Sequence, residues 1–271
     1  MTTRTIPCSA CDIAIVESEG SGPTVLMIHG NSSSKEVFRN QYDGRIGETF
    51  HCIAMDLPGH GGSGDARDPE ATYWMPGYAD VALELMEKLG IAQYAILGWS
   101  LGGHIGLEMI ARSDAPTGLM ISGSPPFGPT DESVESGFKT NDHMHLAGQR
   151  DLTPDEVEAY AHATCGINAP FETFLSEAVA RTDGRARELM FSRLTADGTV
   201  NQQEAAVASR VPFAIVNGET DQFINNDFIA ALPYGDLWEG KVHLLPGIGH
   251  APFWEAPKTF DPILERFLAS I

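Results

Sequence analysis

Serine, histidine and a carboxylate stand in this chain in an order that suits acyl transfer. Ser100 lies in Gly98-Trp99-Ser100-Leu101-Gly102, between an apolar run, Tyr94-Ala95-Ile96-Leu97, and a helix-like stretch from Leu101 to Ala111. A Gly-x-Ser-x-Gly at a strand-to-helix turn is sharp enough to strain the serine, and glycines two residues either side leave the room it needs. The hydroxyl then stands clear, with the Leu101 N–H pointing the same way from the helix start. Such a serine requires a base, a group that orients the base, and an oxyanion site. His250, in Pro246-Gly247-Ile248-Gly249-His250-Ala251-Pro252, is the expected base, in a loop directly after a strand. The orienting acid comes from Val216-Asn217-Gly218-Glu219-Thr220-Asp221-Gln222. Asp221 is favoured, because a residue three beyond the turn glycine can fold back towards a histidine. Glu219 is the alternative, and otherwise a solvated loop carboxylate. The second oxyanion donor is expected from Asn31 in His29-Gly30-Asn31, where Gly30 permits close backbone approach.

The other reactive side chains read as structural. His29 is expected to brace loops. Asp56-Leu57-Pro58-Gly59-His60-Gly61 fits neither a zinc motif nor a phosphate loop, so it reads as a tight turn with His60 as its packing member. In Asp142-His143-Met144-His145 the histidines are two apart and would diverge on a helix, so no metal site is expected. His104, one turn into the elbow helix, reads as a packed core or interface residue rather than a catalyst. Cys8 and Cys11 have CxxC spacing but sit beside a predicted strand, not at a helix head, and no second pair completes a zinc site. With Cys52 and Cys165 they read as reduced thiols.

The elements that must position these residues alternate. Strands are predicted over Asp12–Val16 (in an N-terminal hairpin), Thr24–Ile28, His51–Met55, Tyr94–Leu97 and Gly118–Ser122. Helices are predicted over Lys35–Tyr42 and from Pro76-Gly77-Tyr78 to Gly90, the latter with Val81, Leu85, Met86 and Leu89 on one face. The alternation stops at Gly123-Ser124-Pro125-Pro126-Phe127. Helical signals follow at Pro154–Ala163, Phe171–Arg181 and Arg185–Leu194. Alternation resumes with strands at Phe213–Val216 and Val242–Leu245, a short helix over Asp227–Leu232, and a last helix from Ala256-Pro257 to Leu268. The expected architecture is α/β: a mostly parallel sheet flanked by helices, its core formed by 1–126 and 210–271, with a helical cap inserted at 127–209.

The 271 residues suit one large domain, or one domain with an inserted lid, and 42% hydrophobic against 20% charged is ordinary for a packed protein. A formal net charge of −20 disfavours nucleic acid and anionic lipid as partners. Neither a membrane span nor a signal peptide is apparent, so a cytoplasmic location is expected.

With these pieces placed, the chain resembles the α/β hydrolases with a helical lid. Met27-Ile28-His29-Gly30-Asn31-Ser32-Ser33-Ser34, Gly98-Trp99-Ser100-Leu101-Gly102-Gly103-His104-Ile105-Gly106, Ala180-Arg181-Thr182-Asp183-Gly184-Arg185-Ala186-Arg187, Leu237-Trp238-Glu239-Gly240-Lys241 and Gly249-His250-Ala251-Pro252-Phe253 together are similar to the AidH-type N-acyl-homoserine lactonases, quorum-quenching enzymes that need no metal. The resemblance implies that Asn31 and Tyr160 touch the substrate. It also implies a glutamate as the acid where this chain has Asp221. Ser100 argues against relatives that open epoxides or displace halide, which need an aspartate nucleophile. The expected function is therefore hydrolysis of an N-acyl-homoserine lactone by Ser100, His250 and Asp221, with no cofactor. The alternatives are a carboxylesterase for small linear esters and a hydrolase-fold ligand receptor. Phe127, Phe138, Met144, Phe171 and Phe174 are candidates for an acyl-chain pocket. No oligomeric state is specified.

Overall fold

Eight strands form one sheet in the computed structural model, which describes residues 1–166 and 168–271. In chain order they are β1 (Thr2–Pro7), β2 (Asp12–Glu17), β3 (Gly22–Ile28), β4 (Phe50–Met55), β5 (Tyr94–Trp99), β6 (Pro116–Ser122), β7 (Phe213–Gly218) and β8 (His243–Leu245). Their spatial order is β1-β2-β4-β3-β5-β6-β7-β8. β1 and β2 form the antiparallel hairpin, β2 joins β4 antiparallel, and every pairing from β4 to β8 is parallel.

Burial on both faces explains the solid apolar runs. Val25, Leu26, Met27 and Ile28 of β3 and every residue of β5 are buried. One face packs under the helices Met75–Lys88 and Leu101–Arg112, through residues such as Tyr78, Leu85, Ile105 and Met109. The other packs under Pro257–Leu268, through Phe260, Leu264 and Phe267. Lys35–Tyr42, expected as one helix, is a 3-10 turn over Lys35–Phe38 followed by a short α-turn over Arg39–Tyr42.

The order of strands decides where the loops meet. The chain runs outward from β3 to β4, then returns to lay β5 on the other side of β3. The loops leaving β3 and β5 therefore diverge at one point, where parallel sheets open a crevice. Ile28, the last residue of β3, is in register with Gly98 of the elbow.

Between β6 and β7 the described residues form α-helices at Asp131–Gly137, Pro154–Cys165, Thr173–Arg181, Gly184–Ser192 and Gln202–Val207, with a 3-10 turn at Met144–Ala147. Asp131–Gly137 and Gln202–Val207 escape the periodicity because they are short and carry little apolar pattern. Side-chain caps start them instead: Thr130 accepts from the Ser133 N–H and Asn201 from the Glu204 N–H. Pro154–Cys165 has the fuller signal, with Thr153 and Glu156 capping each other's backbone.

Candidate active site

Ser100 takes the strained conformation that the elbow demands, with φ 51° and ψ −118°. Its backbone is locked in place: its N–H donates to Ser122 O at 2.8 Å, and its carbonyl accepts from Ser124 Oγ at 2.7 Å and from the Gly103 N–H at 3.0 Å. The flanking glycines are there for space. A Cβ on Gly102 would lie 1.9 Å from Ile28 O, and one on Gly98 would lie 2.4 Å from Gly102 O. Gly30 does what the loop requires, since a Cβ there would press at 3.0 Å on Ser100 Cβ and on the Trp99 ring.

The loop after β8 brings His250 to the same point. Trp99 Nε1 donates to the His250 carbonyl at 2.9 Å, and the Trp99 and Phe223 rings flank the imidazole at 5.6 and 5.0 Å between centroids. His250 Nδ1–H donates to Asp221 Oδ2 at 2.7 Å. Asp221 is 1% exposed, and its Oδ1 accepts from the N–H groups of Phe223 at 2.8 Å and Ile224 at 3.2 Å. Glu219 lies exposed instead, accepting from the Gly247 N–H at 3.2 Å. Of the two carboxylates, Asp221 is the one the fold sets against the histidine.

Asn31 joins the β3 loop to the helical segment. Its Nδ2 donates to Ala147 O at 2.8 Å and reaches the Tyr160 hydroxyl at 3.5 Å. Burial raises the Tyr160 phenol to about 12, so its O–H keeps its proton near neutrality. Among the described residues, the backbone N–H groups of Asn31 and Leu101 have no protein acceptor. Asn31, Ser100, Leu101, Tyr160 and His250 line one cavity, with Asp221 behind His250. Ser100 Oγ and His250 share that wall without a hydrogen bond between them among the described residues, a looseness common in sites that tighten on substrate.

The proposed acyl pocket needs correction. Phe138 and Met144 line the cavity, joined by Met190, Phe191 and Leu194. Phe127 does not line it and packs behind, 5.0 Å from the His104 ring. Phe171 stacks on His162 at 3.7 Å, and Phe174 meets Trp254 edge-on at 5.2 Å, both away from the cavity. A helical period identifies a buried face, but which neighbour covers that face is a tertiary matter. Met190, Phe191 and Leu194 were hidden for the same reason.

The remaining histidines largely keep structural places. His29 Nδ1–H donates to Gly30 O at 2.7 Å while its Nε2 accepts from the Leu57 N–H at 3.1 Å, so the neutral ring bridges two loops. His60 packs at 5.2 Å from it and is held down to about 3, first by burial. Asp56 receives the Lys35 N–H, the Lys35 ammonium and the Gly62 N–H, which closes its turn. His104 is buried and packs against Phe127 and Phe138, and it also lines the cavity. Its signal was position: residue 104 lies in the first turn of the helix that follows Ser100. Arg187 was also missed as a positioning group. Its buried guanidinium donates to the carbonyls of Gln149, Arg150 and Val179 and to Ser32 Oγ, tying the helical segment to the loop that carries Asn31.

Among the described residues no three His, Cys, Asp or Glu side chains gather as a metal site. Cys8 and Cys11 are buried free thiols, each raised to about 11, first by burial.

A mostly parallel sheet with a strained serine at the turn after its central strand, and a carboxylate-bound histidine beside it, defines a class. The model of the alpha/beta hydrolase family matches residues 25–261, and the chain belongs to that family. It is a hydrolase. Closer likeness lies with solved structures of the N-acyl homoserine lactonase AidH. One, complexed with N-butanoyl homoserine, is 48% identical with a TM-score of 0.95, covering 99% of this chain and 96% of that one. A variant of AidH complexed with N-hexanoyl homoserine lactone is again 48% identical with a TM-score of 0.95, covering 99% and 97%. Among curated proteins, 2-succinyl-6-hydroxy-2,4-cyclohexadiene-1-carboxylate synthase of Klebsiella pneumoniae is 24% identical over 264 residues, 95% of this chain and 98% of its own.

Proposed function

We propose that this protein is a serine hydrolase that opens the lactone ring of N-acyl-homoserine lactones without a metal. The observation that carries this reading is the 48% identity, over nearly the whole chain, to a lactonase crystallised with such ligands. The chemistry of the cavity wall supports it. Ser100 Oγ attacks the lactone carbonyl as His250 Nε2 takes its proton. Asp221, holding Nδ1–H, fixes the tautomer and stabilises the imidazolium. The Leu101 and Asn31 N–H groups receive the oxyanion, a contribution of about 3 kcal/mol per donor. Collapse breaks the bond to the ring oxygen, which takes the proton from His250 and stays tethered as the homoserine hydroxyl. A water then attacks the Ser100 ester, gives its proton to His250, and Ser100 leaves with that proton. The net change is one water added. Tyr160 and the Asn31 amide orient the polar end of the substrate, and the segment 127–209 serves as a lid.

Mass spectrometry of the products tests the reading. Addition of one water with the acyl group retained is the expected result, unaffected by a chelator and lost in Ser100→Ala. Release of a free fatty acid would mean amide cleavage instead. A kcat/KM that favours small p-nitrophenyl esters over every acyl-homoserine lactone would make the protein a carboxylesterase.

A further inference from the structure

Among the described residues His104 lines the cavity together with Met75, Phe138, Met144, Met190, Phe191 and Leu194. It is 4% exposed, and a polar ring in such a place carries a desolvation cost unless it has partners. One nitrogen has one: Nδ1 lies 2.7 Å from Gln202 Oε1. Gln202 is itself fully buried, and its Nε2 sits 3.1 Å from Met75 Sδ. That arrangement turns the amide oxygen towards the histidine, so Nδ1 carries the proton and donates. In a neutral imidazole the other nitrogen is then an acceptor. Burial keeps the ring neutral, holding it down to about 4. Among the described residues Nε2 has no hydrogen-bond partner. The fold thus pins a histidine by its outer nitrogen and leaves a bare acceptor on an apolar wall.

Resting on the lactonase reading, we propose that His104 is a specificity-determining residue whose Nε2 accepts a hydrogen bond from a hydroxyl on the substrate's acyl chain. The polar end of the substrate is occupied by Ser100, Asn31, Tyr160 and His250, so the apolar stretch beyond them takes the chain. His104 lies in the first turn of the helix that follows Ser100, and both side chains line the cavity. A hydroxyl on the acyl carbon β to the amide carbonyl falls within reach there. An oxo group at the same carbon brings only acceptor lone pairs, which face the Nε2 lone pair unfavourably. An unsubstituted chain leaves the imidazole without a partner. The preferred class is therefore β-hydroxyacyl-homoserine lactones, over unsubstituted chains and over β-oxoacyl chains of equal length.

The test compares kcat/KM for these three lactones on the intact enzyme. A buried hydrogen bond to a neutral acceptor is worth up to about tenfold. The expected result is a preference of about that size for the hydroxylated chain over the unsubstituted one in the native protein. His104→Phe is expected to bring the ratio to about one, whatever its overall rate. Gln202→Leu, which frees the tautomer, is expected to lower the ratio partway. A merely structural role would shift all three substrates together. Native enzyme that opens the unsubstituted lactone but shows no preference overturns this inference alone, as does a ratio unchanged in His104→Phe. Enzyme that opens none of the three overturns the lactonase reading with it.

Discussion

Asp221 shows how two residues of spacing decide which carboxylate reaches a histidine. Glu219 follows the last residue of β7 directly and points to solvent. Asp221 folds back, and two backbone N–H groups hold one of its oxygens while the other faces His250. Removing its charge leaves the packing but permits the wrong imidazole tautomer. Asp221→Asn is therefore expected to lower kcat by about 10⁴-fold, the cost of that change in serine triads. Glu219→Gln is expected to keep kcat within about threefold, because a surface carboxylate contributes little. Steady-state kinetics on a lactone substrate check both, and a reversed order would move the acid to Glu219.

At the scale of elements, the elbow and the β3 loop are built against each other. Gly102 lets the start of the helix Leu101–Arg112 touch the end of β3, with no space for a methyl group beside Ile28 O. Backbone cannot retreat as a flexible side chain can. Gly102→Ala is expected to destabilise the fold by about 1–3 kcal/mol or more, the range for overpacked sites. Urea unfolding measures this, and an unchanged midpoint would mean that the elbow has slack. The helical segment is tied to the same loop through Asn31–Ala147 and Ser32–Arg187, so the pieces of the candidate site are anchored from both sides.

Across the whole molecule, several histidines are buried in neutral form. His29, His60 and His104 all have lowered pKa values, with burial the first cause of each, to about 3 for His60 and about 4 for His104. In the unfolded chain these imidazoles take up protons near pH 6.5. Between that value and their folded values the unfolded state binds more protons, so stability is present above about pH 6.5 and is lost as pH falls. Asp261 acts in the opposite sense. Burial raises it to about 6, so between its unfolded value and 6 the folded state binds the extra proton. Glu108, also raised first by burial, acts with Asp261, while His243, lowered first by burial, joins the other histidines, and the four histidines outweigh the two carboxyls. The urea midpoint is expected to be lower at pH 5 than at pH 7.5, and an equal or higher midpoint at pH 5 would contradict the neutral burial.

The sequence by itself determined the architecture and most of the candidate site. Apolar runs covered on two faces, glycines around Ser100, and loops with His250 and Asp221 just after strands are local signals, each forced by backbone geometry. Tyr160 carried no such signal and was legible only through resemblance. What the tertiary structure decided was which side chains share the cavity. Phe127, Phe171 and Phe174 had the right composition for an acyl pocket but spend their rings on other neighbours, while Phe191 and Leu194 take the places on the wall. His104 read as packing because its partner, Gln202, is distant in sequence and lies in a short helix with little periodic signal. Period and spacing fix the direction in which a residue points. What it meets there depends on where a remote segment comes to rest, and no local pattern encodes that.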